Sequence, residues 1–169
     1  IKEETDMSDT NLDIEKLKNL QFKIMKDVAA SALIPLMRIG YQLGLFQKLS
    51  ELGPINSKKF AEQARVDERY LREWLYALSA TDFVSYDGAK EEFSLSPEQK
   101  AVFADEEGPA NMMGAYEVLA GQVYAEEKVL DAFKTGKGVA YENACPLCFT
   151  GTARFFKPSY QVNLIKKWL

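Results

Sequence analysis

The sequence predicts a mainly α-helical protein: a winged helix-turn-helix with a small β-hairpin as its wing, plus additional N- and C-terminal helices. Between residues 57 and 95, two short helical patterns flank the turn "ARV", and "FVSY", "DG" and "EEFSL" then have the alternation and turn signal of a hairpin. Helix, turn, helix and hairpin follow one another in the winged-helix order. Apolar residues also recur at helical spacing before and after this segment.

The N-terminal part predicts two helices. Residues 1–10 are polar and acidic and are expected to be frayed. An amphipathic helix starts near Asp9 or Thr10, since apolar side chains then recur at helical spacing from Leu17 through Leu43. Pro35 is expected to kink or break this helix, and Gly44 to end it. The stretch "LFQKLSEL" predicts a second, short helix.

The central motif has recognisable helix starts. Ser57 is predicted to cap the first helix of the motif and Asp67 the second. The second helix carries an apolar stripe, which predicts packing against the core: Tyr70, Leu71, Trp74, Leu75 and Leu78. The pair Asp87-Gly88 predicts a type I′ turn in the hairpin.

The C-terminal part predicts further helices. Ser96-Pro97 has the signature of an N-cap followed by proline at the first helical position. Residues from about Ala110 to Phe133 predict one long helix, and "KTGKGVAYENACPLCFTG" predicts an irregular connection. A helical pattern resumes with "TARFFKPSYQVNLIKKWL", where Ile165, Trp168 and Leu169 are expected to need an apolar partner.

Composition excludes several classes of chemistry. The chain has 169 residues, 47% of them hydrophobic, which is enough for a core. It has no histidine, so the usual general base and the commonest metal ligand are missing, and we predict neither catalytic residues nor a metal site. The first residues do not have the charge pattern of a signal peptide, and Arg38 and Pro35 interrupt the longest apolar run. A cytoplasmic protein that does not span a membrane is therefore expected.

Nucleic-acid binding is weakly supported by the charges. The net charge is −4, and residues 57–95 contain six basic and eight acidic residues. The wing carries Glu91 and Glu92, although a wing that contacts phosphates needs basic side chains. Arg69 and Arg72 are able to reach phosphate, but they are also placed to pair with Glu73 and Glu68 along the helix. A DNA-binding regulator is thus the alternative hypothesis.

Two short motifs have structural explanations. "CPLC", Cys145 to Cys148, has the spacing of a redox pair, but no apolar strand precedes it, and two thiols without histidine do not make a zinc site. Two ordinary reduced cysteines are expected. "KTGKGV" departs from the P-loop pattern, because Asp131 stands where the first glycine belongs and Gly138 follows Lys137. A flexible connector is expected there.

Aromatic residues are concentrated in the last segment. Tyr141, Phe155, Phe156, Tyr160 and Trp168 occur there together with Arg154 and Asn163. Aromatic side chains at helical spacing usually pack into a core. The alternative is one wall of a small-molecule pocket, in which the aromatic rings supply surface and the polar groups supply specific contacts.

The order of these segments resembles the N-terminal winged-helix domain of bacterial class I S-adenosylmethionine-dependent methyltransferases. The matching stretches run from "LIPLMRIGYQLGLFQKLSELGP" through "DERYLREWLYALSATDFVSYD" and "FSLSPEQKAVF" to "GTARFFKPSYQVNLIKKWL". Similar domains of small-molecule O-methyltransferases mediate dimerisation and cover the active site. The glycine-rich turn that binds the cofactor in the family's catalytic domain is not found in this sequence.

The resemblance implies a division of the chain and a function. Residues 11–104 are expected to form the winged-helix and dimerisation domain, and residues 105–169 a helical extension that leads to a catalytic domain outside this sequence. It also implies a homodimer, a small-molecule substrate and S-adenosylmethionine in the full-length protein, with no tight cofactor binding by this chain alone. Tyr141, Arg154, Phe156 and Tyr160 are the expected wall of the pocket. A stand-alone interaction module is a third hypothesis.

Overall fold

The computed structural model describes residues 12–164, and it confirms a mainly helical winged helix-turn-helix. These residues belong to two compact units, of which the first ends at Leu33 and the second begins at Ile34. The predicted frayed segment 1–10 and the apolar residues Ile165, Trp168 and Leu169 lie outside the described residues.

The first unit consists of the N-terminal part of helix α1, which spans Ile14–Gln42. Asp13 begins this helix, since its Oδ1 accepts hydrogen bonds from the backbone N–H groups of Glu15 and Lys16 at 3.1 Å each. The predicted start at Asp9 or Thr10 lies outside the described residues. Six apolar side chains of this unit are more than half exposed, so the predicted amphipathic helix forms without burying its apolar face: Ile14, Leu20, Phe22, Ile24, Met25 and Val28.

The second unit contains the rest of α1 and the other described elements. Its further helices are α2 (Leu45–Leu52), α3 (Ser57–Ala64), α4 (Glu68–Ser79), α5 (Pro97–Gln99), α6 (Met113–Tyr124), α7 (Glu126–Thr135) and α8 (Pro146–Asn163). A π-helical turn, Lys100–Ala104, continues α5, and a 3-10 turn, Tyr141–Asn143, precedes α8. Pro35 is accommodated inside α1 without ending it. Gly44, with φ of +64°, separates α1 from α2 as predicted.

The wing is an antiparallel hairpin of strands β1 (Ser85–Asp87) and β2 (Glu92–Ser94). Tyr86 pairs with Phe93 at its centre. Ile55, just before α3, adds a short third bridge through two backbone hydrogen bonds with Phe93, of 3.0 and 2.8 Å. The hairpin is thereby fixed to the start of the helix-turn-helix.

The core of the second unit is apolar and rich in aromatic rings. Its fully buried side chains include Met37, Phe46, Leu49, Phe60, Leu75, Leu78, Val84 and Phe93. The Phe46 ring meets the Trp74 ring edge to face, with the centroids 5.2 Å apart. Gly40 of α1 allows this approach, because a Cβ there would lie 2.5 Å from Trp74 Cζ2. The indole Nε1 of Trp74 also donates a 2.9 Å hydrogen bond to the Leu36 carbonyl oxygen.

Two local predictions for the helices of the motif are wrong. Asn56 caps α3, since its Oδ1 accepts from Lys59 N at 3.0 Å, whereas the predicted cap Ser57 donates its hydroxyl to Glu68. Tyr70 is 77% exposed, because the inward arc of α4 is filled by the other four residues of the predicted stripe. Asp67 does cap α4, accepting from Tyr70 N at 3.2 Å.

The hairpin turn also differs from the predicted type I′ turn. Asp87 pairs with Glu92, so four residues, 88–91, form the connection. The Asp87 carboxylate accepts hydrogen bonds from Ala89 N at 3.0 Å and Lys90 N at 3.3 Å, which lowers the pKa of Asp87 below its usual value. The residue with positive φ is Glu91, not Gly88. The aspartate side chain therefore closes a longer turn than the Asp-Gly pair predicts.

The C-terminal helices have other boundaries than predicted. The long helix expected over Ala110–Phe133 is two helices, α6 and α7, which meet at Ala125. No glycine or proline marks this break, but Glu126 and Glu127 stand in the first turn of α7, where acidic groups favour a helix start. Helix α8 begins at Pro146, so the second half of the connection predicted to be irregular is helical.

Helices α6 and α8 approach each other at glycines. A Cβ at Gly114 of α6 would lie 2.5 Å from Phe155 N, and one at Gly151 of α8 would lie 2.6 Å from Val118 N. A Cβ at Gly121 would lie 2.8 Å from Cys148 N. The two backbones are thus in contact along the helices, which fixes the direction in which the other side chains of α8 point.

No single helix of residues 12–164 is both long enough and apolar enough to cross a membrane. Helices α1 and α2, which meet at a bend of 67°, satisfy these two conditions only when they are taken together.

Candidate functional site

Three of the four predicted wall residues are associated with one exposed face of α8. Phe149, Phe156 and Tyr160 are seven and four residues apart, which places them on the same side of a helix of about 3.6 residues per turn. Tyr141 extends this face, because its ring lies 4.6 Å from the Phe149 ring, centroid to centroid. We call Tyr141, Phe149, Phe156 and Tyr160 the aromatic face of α8.

The aromatic face is accessible. Tyr141 is 77% exposed, Phe156 48% and Tyr160 52%. Phe155, next to Phe156, meets its ring edge to face at 5.2 Å. Large aromatic side chains with one open side supply contact area for a flat ligand or for another protein surface. Tyr141, Phe156 and Tyr160 are therefore not among the buried core residues.

Arg154, the fourth predicted wall residue, points elsewhere. It lies two residues from Phe156 and so about 200° around the helix axis. Its Nη1 donates a 2.9 Å hydrogen bond to Glu117 Oε1 of α6, and its guanidinium lies 3.9 Å from the centre of the Tyr41 ring of α1. The side chains of Arg154 and Glu117 are only 24% and 14% exposed. The structure thus separates Arg154 from the aromatic face.

Tyr41, Glu117 and Arg154 form a polar cluster that joins α1, α6 and α8. The cation–π contact and the charge-assisted hydrogen bond both hold the guanidinium. Glu117 Oε2 is buried and has no hydrogen-bond partner among the described residues, and the same is true of Arg38 Nε on α1. The carboxylate thus keeps one acceptor position beyond its ion pair with Arg154.

A concave surface lies beside α6 and α7. It is a groove of about 570 Å³, lined mainly by apolar side chains from Leu119 to Phe133, with Ile34 from α1. Gln122 and Glu126 provide its polar groups. Phe133 is 86% exposed, so this groove is open to solvent. Sequence analysis did not single it out, because the residues lie on two helices that were predicted to be one.

The helix that would enter a DNA groove, α4, is largely neutralised by its own acids. Arg72 pairs with Glu68 at 3.2 Å, as the helical spacing predicted. In the wing, Lys90 pairs with Asp87 at 3.4 Å. Arg69 is exposed on α4. Two of the basic groups nearest a winged-helix DNA surface are therefore already engaged by carboxylates.

The remaining motifs lie at the end of α7, in the connection after it and at the start of α8. Within residues 12–164, no group of three or more acidic or cysteine side chains is placed to hold a metal ion. Gly136 ends α7 with φ of +71°, and "KGVA" after it is a connection without helix or strand, as expected for a connector. Cys145 and Cys148 have free, half-buried thiols at the start of α8.

Known proteins place this architecture in a family context. Residues 29–104 match the Rv2258c-like winged HTH domain. This winged HTH domain ends where the π-helical turn ends, so α6, α7 and α8 lie beyond it. No curated protein is similar enough in sequence to count as a match.

Solved structures share the fold over most of this chain. Human N-acetylserotonin methyltransferase in complex with SAM is 15% identical, with a TM-score of 0.58 over 84% of this chain. A protein from Nostoc punctiforme PCC 73102 assigned to the O-methyltransferases is 20% identical, with a TM-score of 0.56 over 84%. The apo form of the S-adenosylmethionine-dependent methyltransferase SibL is 19% identical, with a TM-score of 0.52 over 86%. The chain spans 43%, 43% and 47% of the length of these proteins.

Sequence analysis found part of this site and missed part of it. Phe149 was missed, although its spacing of seven residues from Phe156 is a helical signal. Tyr41 and Glu117 were missed because they lie far from Arg154 in the sequence and meet it only where α1 and α6 approach α8.

Proposed function

We propose that this chain is the winged-helix part of a S-adenosylmethionine-dependent methyltransferase that acts on a small molecule, and that it serves dimerisation and substrate enclosure. The observation that carries the proposal is the shared fold with three methyltransferases over 84–86% of this chain. Since these proteins are more than twice as long as the aligned part, a catalytic domain is assigned to sequence outside this chain.

The coding sequence after Leu169 tests the catalytic part of the proposal. A continuing reading frame should encode a strand, a glycine-rich turn, and an acidic residue about 20 positions further on, as nucleotide-binding doubly wound domains do. A frame that ends at once, or continues without such a turn, would remove the methyltransferase assignment.

The aromatic face of α8 is assigned to the wall of the cofactor or substrate site. Its rings are open on one side and would stack on a flat adenine or aromatic acceptor. Saturation-transfer NMR with millimolar S-adenosylmethionine should show weak transfer to the ligand from aromatic protons. Substitution of Phe156 or Tyr160 by alanine should reduce the transfer. Phe133→Ala, an equally drastic change at an exposed ring on α7, should leave it unchanged, and the reverse pattern would contradict the assignment.

Dimerisation is assigned to exposed apolar helix surfaces. In the first unit, Phe22 is 61% and Met25 69% exposed. A helix of about 20 residues is marginal in water unless an apolar face is covered, and self-association through a two-fold axis covers the same face on both copies. Sedimentation equilibrium should show a dimer that Met25→Lys weakens, whereas Asn19→Lys, at an exposed position on the polar side of the same helix, does not. A monomeric wild-type chain at high micromolar concentration would contradict this role.

DNA binding is the competing outcome. A winged HTH domain that reads DNA would bind a duplex with an affinity that falls steeply with salt, and Arg69→Ala would weaken that binding. We expect no DNA binding, because Arg72 is paired with Glu68 and Lys90 with Asp87. If the chain binds DNA at low ionic strength in a salt-dependent way, and Arg69→Ala abolishes that binding, then the function of this domain is DNA-binding regulation and not the enclosure of a small molecule.

A further inference from the structure

The cysteine pair occupies the first turn of α8. Pro146 is the first residue of this 18-residue helix, so Cys145 is its N-cap and Cys148 its third residue. A redox role was discounted from the sequence because no apolar strand precedes the pair. The helix start changes that judgement, since redox-active Cys-x-x-C pairs belong at this position of a helix.

The backbone brings the two cysteines within reach of each other. The N–H of Cys148 donates a 2.9 Å hydrogen bond to the Cys145 carbonyl oxygen. A turn closed in this way keeps its first and fourth Cα atoms within about 7 Å, and disulfides span Cα separations of about 4.4–6.8 Å.

The surroundings of the two thiols differ. Cys148 Sγ lies against α6, where a Cβ on Gly121 would be only 2.6 Å away from it. Both cysteines are free and half-buried. Because Cys148 Sγ lies against α6, Cys145 is assigned as the thiol that attacks an external reagent, and Cys148 as the thiol that then reacts with Cys145.

We propose that Cys145 and Cys148 form a reversible intramolecular disulfide by exchange with a small disulfide such as oxidised glutathione. The Cys145 thiolate attacks one sulfur of glutathione disulfide, which forms a mixed disulfide and releases one glutathione thiolate. The Cys148 thiolate then attacks the Cys145 sulfur, which forms the protein disulfide and expels the second glutathione. Two electrons pass from the protein to the reagent, and the two thiol protons end on the two glutathiones.

This disulfide does not depend on the proposed methyltransferase role. Its formation would draw Cys148 Sγ from Gly121 toward Cys145, at the turn that precedes Phe149. Because the Phe149 ring contacts the Tyr141 ring, the redox state of the cysteine pair would change the position of one end of the aromatic face.

Intact-mass spectrometry and thiol titration of the full chain test the proposal. After incubation with oxidised glutathione, the wild-type chain should lose both of its titratable thiols and the mass of two hydrogen atoms, and it should retain no glutathione. Peptide mapping should place the link within one peptide, and dithiothreitol should restore both thiols. Two unchanged thiols, a retained glutathione adduct or a disulfide between two chains would each overturn the proposal.

Two single substitutions test the order of attack. Cys148→Ser should accumulate one glutathione on Cys145, because the resolving thiol is gone. Cys145→Ser should acquire its adduct several-fold more slowly, because Cys148 is held against α6. Circular dichroism checks that both variants keep the helical fold. Equal adduct rates in the two folded variants would contradict the assignment of Cys145 as the attacking thiol.

Discussion

Replacing Gly114 with alanine should destabilise the protein, although alanine is the better helix former. The new Cβ would lie 2.5 Å from Phe155 N, 2.7 Å from Gly151 O and 2.9 Å from Phe155 Cα. All three are backbone atoms of α8, so no side chain is able to rotate away. Carbon contacts are favourable only at about 3.5–4.0 Å, and α6 and α8 must therefore move apart.

Two opposing terms set the magnitude of this effect. Forcing extra atoms into a packed interface costs about 1–3 kcal/mol, and contact with rigid backbone favours the upper end. The change from glycine to alanine inside a helix returns about 1 kcal/mol. The net expectation is a loss of about 2 kcal/mol in the free energy of unfolding. For a chain of this size, that loss lowers Tm by about 4–8 °C.

Urea and thermal unfolding followed by circular dichroism measure this loss. Ala153→Gly, at an exposed position of α8, calibrates the helix-propensity term and should lower stability by about 1 kcal/mol. If Gly114→Ala instead raises stability by about that amount, the backbones of α6 and α8 are not in contact at this point, and the description of their interface is wrong.

Three further substitutions probe the cluster, the titration of α6 and the corrected cap. Arg154→Ala should lower stability by about 2 kcal/mol, because it leaves the Glu117 carboxylate largely buried and unpaired; urea unfolding measures this, and Arg154→Ala should cost less in a Glu117→Gln background. Burial raises the pKa of Tyr116, because the folded protein favours the neutral phenol. The resulting contribution to the free energy of unfolding is fully present below the unfolded pKa of about 10, and it is lost as the pH rises through the higher folded pKa. Tyr116→Phe should therefore gain stability relative to wild type as the pH rises above about 9, and parallel stability profiles would contradict this. Asn56→Ala should cost about 1 kcal/mol in chemical unfolding through the loss of the α3 cap; no measurable loss would contradict that assignment.

The parts of the fold that depend on short-range signals were predictable from sequence. Asp67 caps α4, Ser96 caps α5 in a full capping box with Gln99, and Gly44 ends α1, because each of these residues acts on backbone groups within a few positions of itself. The choice of Ser57 over Asn56 as a cap failed because both residues have suitable side chains. Only the engagement of Ser57 by the distant Glu68 separates them.

The candidate site was predictable in part. Helical spacing alone places Phe156 and Tyr160 on one face of α8 and Arg154 on another. The sequence was therefore sufficient to exclude Arg154 from the predicted pocket wall. The partners of Arg154 were not predictable, because they come from α1 and α6 and depend on glycine contacts that no local pattern shows. The break at Ala125 was likewise hidden, since the sequence around it favours helix on both sides.

The hydrogen bond between Trp74 and Leu36 makes Trp74 a fluorescent reporter for the second unit. Trp74 is the one tryptophan among residues 12–164, and it is 5% exposed. Its indole N–H is held by a backbone carbonyl of α1 while its ring packs on Phe46. In a Trp168→Phe variant, which leaves Trp74 as the one tryptophan of the chain, fluorescence emission therefore reports whether the second half of α1 is seated on α4, separately from the circular dichroism signal to which all the helices contribute. A change in that emission that precedes the loss of helix would show that α1 separates from the motif before the remaining helices unfold.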